Sequence, residues 1–217
     1  MSERVNLSKH TVNLGKSEKI NLTKAAEIGL NKIMIGLGWD PIKKSKGFIS
    51  KLFGKSSDEA DIDCDAWVQT YNKGSKKDGE LIYYGNLKYI VDDVNAIVHQ
   101  GDNLTGEGDG DDEVINVFLD ELPDNVDKLV VGVTIFQAVQ RKQSFGMIKN
   151  VFIRIVDTRD NFEICRYDGK DFSSDSHSFI AGILEKTSNG WEFTAVGKST
   201  PDGTIHDAAE TVSRELI

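Results

Sequence analysis

The stretch of the chain best equipped for chemistry is an acidic, glycine-rich segment at 101–113, "GDNLTGEGDGDDE". It contains four glycines and no Lys or Arg, and its carboxylates are Asp102, Glu107, Asp109, Asp111, Asp112 and Glu113. Neighbouring carboxylates repel each other unless a cation lies between them. Calcium takes about six to eight oxygen ligands, and glycines allow backbone carbonyls to turn inward. The segment therefore predicts a calcium-binding loop.

The spacing of these acids matches an EF-hand loop only at its two ends. Asp102 and Glu113 are twelve positions apart, counted inclusively, as are the first and last ligands of an EF-hand. The third, fifth and sixth positions hold Leu104, Gly106 and Glu107, which do not fit, and the flanks "NAIVHQ" and "VINVFL" are typical of strands. We predict a calcium loop on a β scaffold, in which Leu104 and Gly106 offer only carbonyl oxygens.

We expect the acids of the loop to differ in role. Glu113 ends the acidic run and begins a strand, so it is the best anchored and suits bidentate binding. Asp109 and Asp111 share a side-chain direction if the chain is extended there, so they would serve one ion together. Asp112 would then point to a second ion or to solvent.

A second acidic group lies upstream, in "DEADIDCDAWVQ" at 58–69. In an extended strand Asp61, Asp63 and Asp65 point to the same side, about 6.5–7 Å from one to the next, while the intervening residues point to a core. Asp40 is a third candidate. Neither acidic segment alone supplies enough oxygens for two ions without leaving like charges unpaired, so we expect the two segments to meet in space around two calcium ions.

Signatures of other chemistries are absent from the sequence. There is no G-x-S-x-G or H-E-x-x-H, and the two cysteines, Cys64 and Cys165, do not form a C-x-x-C pair. "GKS" at 54–56 imitates a phosphate loop, but six residues separate its glycine from Gly47 where four are required. The scattered histidines and cysteines disfavour soft or borderline metals.

Three functions fit these residues. We favour a non-catalytic calcium-binding module, a sensor or scaffold rather than an enzyme. One alternative is a metal-dependent enzyme, such as a phosphohydrolase that uses Mg²⁺ or Mn²⁺ on the same acids, with His99 as the obvious base. The other is a calcium-regulated binder of a small molecule or nucleotide, which an apolar cavity beside the ions would favour.

Composition excludes further classes of protein. The chain has 217 residues and a formal net charge of −9, which disfavours nucleic-acid binding because phosphate affinity needs clustered Lys and Arg. No apolar run reaches the ~18 residues of a membrane span, and the N-terminus has no apolar signal core. We expect a cytoplasmic protein with reduced cysteines.

The elements that would position the acids are mostly short and β-rich. Strand-like runs occupy 31–39, 65–71, 81–87, 95–100, 114–119, 128–136, 150–157, 162–168 and 179–186. Asn189-Gly190 between two such runs predicts a hairpin. The pattern indicates an all-β fold, an antiparallel β-sandwich with minor helices. A C-terminal helix is predicted at 206–217, where Ala208, Val212 and Leu216 are four apart and Asp207 is a candidate N-cap.

A Lys-rich segment at 41–60 departs from this pattern. It carries five lysines before its first acid, Asp58, together with Phe48 and Phe53. A solvated inserted loop is the simpler interpretation. The alternative is a docking patch for a partner or an anionic membrane surface, which would allow peripheral membrane contact.

The motifs of the chain, taken together, resemble the tellurium-resistance TerD family. They are, in order, "IGLGWDP", "DIDCDA", "YYGNL", "HQGDNLTGEGDGDDE", "RKQSFG", "NVFIRIVD" and "WEFTAVG", and the likeness runs from about 5–9 to 195–199. The 41–60 insertion is longer than in short members of the family, and 168–190 lacks the usual aromatic-rich form.

The resemblance implies a calcium-binding β-sandwich in a bacterial stress and tellurite-resistance system, usually with two ions and with other proteins of that system as partners. It implies one TerD-like domain over 1–217, with the inserted loop at 41–60 and a helical tail at 206–217. The acidic positions that it carries over are Asp61, Asp63, Asp102, Asn103, Glu107, Asp109, Asp111, Asp112 and Glu113.

Overall fold

The structure, a computed structural model of the chain, describes residues 10–26, 29–41, 62–75, 78–101, 110–170, 172–173 and 175–217. Its strands in these ranges are β1 (Val12–Leu14), β2 (Lys19–Asn21), β3 (Lys32–Pro41), β4 (Cys64–Asn72), β5 (Asp78–Ile82), β6 (Lys88–Val91), β7 (Val94–His99), β8 (Glu113–Phe118), β9 (Val126–Ile135), β10 (Ile148–Asp157), β11 (Phe162–Asp168), β12 (Ser178–Thr187) and β13 (Gly190–Thr200). The helices are α1 (Leu22–Ala25), α2 (Ala138–Arg141) and α3 (Ile205–Glu215), with a 3₁₀ helix at Phe145–Met147.

The strands form two sheets that share one core. Sheet I has the order β1–β11–β10–β3–β8–β7–β6, and sheet II has the order β2–β13–β12–β9–β4–β5. The pairs within each sheet are antiparallel, except that β1 runs parallel to β11. Side chains of both sheets, such as Ile35 and Ile153 from sheet I and Cys64 and Val131 from sheet II, belong to the same buried cluster. The predicted all-β antiparallel sandwich is confirmed.

A second apolar cluster covers the outer face of sheet II. Trp67 and Tyr71 of β4 pack there against Ala208 and Val212 of α3. The C-terminal helix is therefore confirmed, with its predicted apolar spacing turned toward the sheet. Its N-cap is Thr204, whose hydroxyl accepts a hydrogen bond from the Asp207 amide, so the prediction of Asp207 as N-cap was wrong by three residues.

Two local predictions have different outcomes. The predicted hairpin is confirmed, because Thr187 pairs with Gly190. Its two turn residues are Ser188 and Asn189, and Gly190 already begins β13. The strand predicted at 81–87 is wrong beyond Ile82. Tyr83 and Asn86 instead exchange backbone hydrogen bonds of 3.0 and 2.9 Å in a tight turn, which presents two tyrosines at the end of β5.

Candidate metal site

The acidic loop is the connection of the β7–β8 hairpin. Its base is fastened by hydrogen bonds from Gln100 N to Val114 O, at 2.9 Å, and from Asp112 N to Leu37 O, at 2.8 Å. Gly101 and Gly110 have φ values of 116° and 118°, which side chains other than hydrogen rarely adopt. The predicted strand-like flanks of the loop are confirmed.

Several predicted ligands lie outside the described residues and stay predictions. They are Asp61, Asp102, Asn103, Leu104, Gly106, Glu107 and Asp109. The Lys-rich segment also lies outside them, apart from Pro41 at the end of β3.

Glu113 begins β8 with its side chain fully buried between the two sheets. Its Oε2 accepts a hydrogen bond of 2.5 Å from the Ala66 amide of β4, and the Nε2 atom of His99 lies 3.4 Å from the same oxygen. In β4, pairing with β5 begins only at Val68. The edge of β4 at Ala66 is therefore open to Glu113 and His99, which connect sheet I to sheet II at this point.

The His99 ring is held on both sides at this junction. Its Nδ1 accepts a hydrogen bond from the Gly101 amide at 3.1 Å. The Nε2 atom lies 3.2 Å from the Ala66 carbonyl oxygen. The side chain is fully buried, and both ring nitrogens face groups of the protein.

Asp112 lies on the other side of the loop base. Its Oδ2 accepts a hydrogen bond of 2.8 Å from the Trp39 amide. Burial raises the pKa of Asp112, and the charges of Asp40 and Asp111 raise it further, against the opposing effect of the Trp39 hydrogen bond. This pKa shift means that the negative charge of Asp112 is disfavoured without a cation nearby.

Asp111 is bound by a cation of the protein itself. Arg154 of β10 holds both of its carboxylate oxygens, with Nε–Oδ1 and Nη2–Oδ2 distances of 2.7 and 2.8 Å. The carboxylate rests on Gly36, where a Cβ atom would come within 2.3 Å of Oδ1. Three consecutive acids thus have three different environments, and Asp111 is held by a bidentate ion pair with Arg154.

Replacing Arg154 tests how strongly the sheet depends on this ion pair. Arg154→Gln leaves the nearly buried Asp111 carboxylate without its bidentate donor, so we expect the free energy of unfolding to fall by about 2–3 kcal/mol. Arg214→Gln, which removes an exposed pair with Glu215, serves as the control and should cost far less. Urea unfolding measures both variants. Equal losses, or no recovery when Asp111→Asn is added to Arg154→Gln, would contradict this account.

The acids at the start of β4 are more buried than they would be if this part of the strand were simply solvated. Ile62, Cys64 and Ala66 belong to the main core, as the alternation predicted. Asp63 and Asp65 are 7% and 4% exposed. An Arg141 nitrogen lies 3.6 Å from Asp63 Oδ2.

The two acidic segments act on one buried thiol. Burial raises the pKa of Cys64 well above its usual value, and the charges of Asp65, Glu113, Asp63 and Asp112 raise it further. Because charge interactions weaken with distance, both segments must lie around the start of β4. The described residues alone contain no group of three or more metal-binding side chains placed to hold an ion. A site here would need further oxygens, from backbone carbonyls or from predicted ligands outside the described residues, such as Asp61 and the acids of 102–109.

Sequence reasoning missed the groups that orient these acids. The sequence could have indicated Arg154, because it is the charged residue at an outward position of the alternating run "VFIRIV". The Trp39 amide and the open edge of β4 at Ala66 carry none, since every residue has a backbone amide and only the sheet register shows which are unpaired.

The fold and site define a class, a two-sheet sandwich with an acidic hairpin loop at one end, and comparison with known proteins identifies the family. The sequence model of the TerD domain matches residues 10–211. The chain belongs to the TerD family, as the motifs indicated.

Curated relatives carry names from stress response and tellurium resistance. The chain is 44% identical to "Stress response protein SCP2" of Bacillus subtilis (strain 168), over 90% of this chain and 96% of that protein. It is 36% identical to "Tellurium resistance protein TerD" of Alcaligenes sp, over 92% of this chain and 96% of that protein.

Two solved structures share the fold. One, a protein of unknown function named SAV2460, has a TM-score of 0.63 and 20% identity, covering 83% of this chain and 96% of its own. The other, a homologue of telluride resistance protein (TerD) from Streptomyces coelicolor A3(2), has a TM-score of 0.58 and 17% identity, covering 87% of this chain and 98% of its own. Among the described residues, no helix has both the length and the apolar character needed to cross a membrane.

Proposed function

We propose that this protein is a non-catalytic calcium-binding module, a sensor or scaffold of a stress-response and tellurite-resistance system. Two ions bind where the β7–β8 loop meets the start of β4. The partners are other proteins of that system, and the protein works in the cytoplasm.

The observation that carries the proposal is the position of Glu113. Glu113 is a fully buried carboxylate, and its negative charge acts on the buried Cys64 thiol together with those of Asp63, Asp65 and Asp112. Like charges gathered around one point repel each other. A divalent ion bound by the adjoining loop offsets that repulsion. A glycine-rich loop with many oxygens also suits the large, flexible coordination shell of calcium better than the strict octahedron of magnesium.

The Glu113–Ala66 contact gives such an ion a route to the rest of the fold. Glu113 and His99 of sheet I bind the Ala66 backbone of sheet II. An ion that binds Glu113 therefore affects the contact between the two sheets. A calcium-dependent sensor or structural clamp requires such a link between the ion and the fold.

The phosphohydrolase alternative is weakened by the environment of His99. A general base needs hydrogen-bond access to its substrate, but the His99 side chain is fully buried. Its Nδ1 faces the Gly101 amide, and its Nε2 faces the Ala66 carbonyl and the Glu113 carboxylate. The calcium-regulated binder keeps one specific observation in its favour, a cavity partly lined by Asp65.

Native mass spectrometry of the full chain, with calcium and with a chelator, tests the proposal. We expect the mass of two calcium ions per chain, lost on chelation, and the same spectra report the oligomeric state. A protein that stays metal-free in saturating calcium would overturn the proposal.

A further inference from the structure

A cavity of about 460 Å³ lies on the outer face of sheet II, beside the start of α3. Its walls include Asp65 of β4, Tyr83 and Tyr84 of the turn after β5, Phe136 after β9, and Asp207 of α3. Its volume falls within the range of about 300–1,000 Å³ that small-molecule sites occupy. None of the described residues of the β7–β8 hairpin lines this cavity.

Three aromatic rings form adjoining walls of the cavity. The ring of Tyr84 is nearly perpendicular to that of Tyr83, at 77° with centroids 5.1 Å apart, and to that of Phe136, at 88° with centroids 6.0 Å apart. Tyr84 is 43% exposed, so it stands at the mouth. Aromatic faces set at right angles are the arrangement that attracts organic cations through their ring quadrupoles.

The charge of the cavity has the sign that a cation needs. Its described lining residues include the carboxylates of Asp65 and Asp207 and the imidazole of His206, but no Lys or Arg. Asp65 is only 4% exposed. The positive end of α3 is offset by Asp207, whose carboxylate accepts a hydrogen bond of 2.7 Å from the Thr204 hydroxyl. Phosphate-bearing ligands such as nucleotides are therefore disfavoured here.

One of these rings, that of Phe136, already makes a cation–π contact within the protein. The guanidinium carbon of Arg141 lies 5.0 Å from the Phe136 ring centroid, and the same side chain is 3.6 Å from Asp63. Phe136 can thus accept a cation with a carboxylate close by. Gln137, which also lines the cavity, has a φ of 52°, and strained backbone of this kind is concentrated at functional sites.

We propose that this cavity binds a small organic cation of the alkylammonium class. Its charged head lies among Tyr83, Tyr84 and Phe136, with Asp65 as counter-ion. Apolar alkyl groups around a positive charge suit aromatic walls, whereas a bare metal ion would require more oxygens than the cavity presents. The inference does not rest on the calcium proposal.

Calorimetric titration with choline and with 3,3-dimethylbutan-1-ol tests the charge requirement. The neutral alcohol has the shape of choline with carbon in place of nitrogen. We expect choline to bind at least about ten-fold more tightly. Titrations in calcium and again in chelator separate this cavity from the acidic loop, and choline binding under both conditions is the expected result. Equal affinity for the two compounds, or no choline binding at tens of millimolar, would overturn the proposal.

Substitutions at the mouth test the aromatic walls. Tyr84→Leu should weaken choline binding at least about ten-fold, while Tyr84→Phe, which keeps the ring face, should retain it. Asp65→Asn should also weaken binding, with Asp120→Asn, an exposed acid in the turn after β8, as its control. Because Asp65 is buried, the folding of Asp65→Asn is checked by circular dichroism. If this variant does not fold, the comparison of Tyr84→Leu with Tyr84→Phe tests the site by itself. Unchanged affinity in Tyr84→Leu would refute the site.

Discussion

Glu113→Gln is expected to remove calcium binding at one site without destabilising the ion-free protein. The glutamine oxygen can accept the Ala66 amide hydrogen bond that Glu113 Oε2 accepts now. The substitution also removes a buried negative charge that acts on the Cys64 thiol together with those of Asp63, Asp65 and Asp112. We therefore expect an ion-free thermal midpoint equal to or above that of the parent chain, with the loss confined to calcium affinity.

Calorimetric titration with calcium, beside thermal melts in chelator, measures both effects. Glu121→Gln, an exposed acid in the turn after β8, is the matched control and should bind calcium as the parent does.

Asp109→Asn is expected to lose one site as well. Asp112→Asn should be milder if a single ion is bound, because its amide oxygen can still accept from Trp39. Full calcium binding by Glu113→Gln would remove the calcium-module interpretation and favour the enzyme alternative.

Calcium is expected to raise the thermal midpoint of the parent chain by several degrees. A ligand that binds only the folded state, at about 100 times its dissociation constant, adds about 2.7 kcal/mol per site. For a chain of this size that corresponds to roughly 5–10 °C. The physical reason is that the ion holds together a loop base and a sheet junction that are otherwise strained by like charges.

Differential scanning calorimetry over a wide calcium range, with magnesium in parallel, checks this expectation. The midpoint should rise with calcium, fall on chelation and respond much less to magnesium. Glu113→Gln provides the control within the same experiment, since its midpoint should respond less to calcium. A thermal midpoint that does not change with calcium, or that responds equally to magnesium, would contradict the proposal that calcium acts as a structural clamp.

Strand periodicity and turn residues were sufficient to predict the fold class. The alternation in β10 buries Val151, Ile153 and Ile155, and the Asn189-Gly190 hairpin has its expected place. These predictions succeed because they depend on contacts near in sequence, where the side-chain period of two and the conformational freedom of glycine decide the outcome. The error at 83–87 has the same origin, because a tight turn with two tyrosines has the composition of a strand.

The sequence by itself determined which residues could bind a hard cation and that strands would flank the loop that carries them. The tertiary structure alone decided what each acid faces: Arg154 for Asp111, the Trp39 amide for Asp112, and the Ala66 amide with His99 for Glu113. It also decided that Tyr84 and Phe136 would meet beside Asp65. The reason is that Arg154, Trp39 and Ala66 lie 43, 73 and 47 positions along the chain from Asp111, Asp112 and Glu113. Only the register of the sheets brings such distant residues within hydrogen-bond reach.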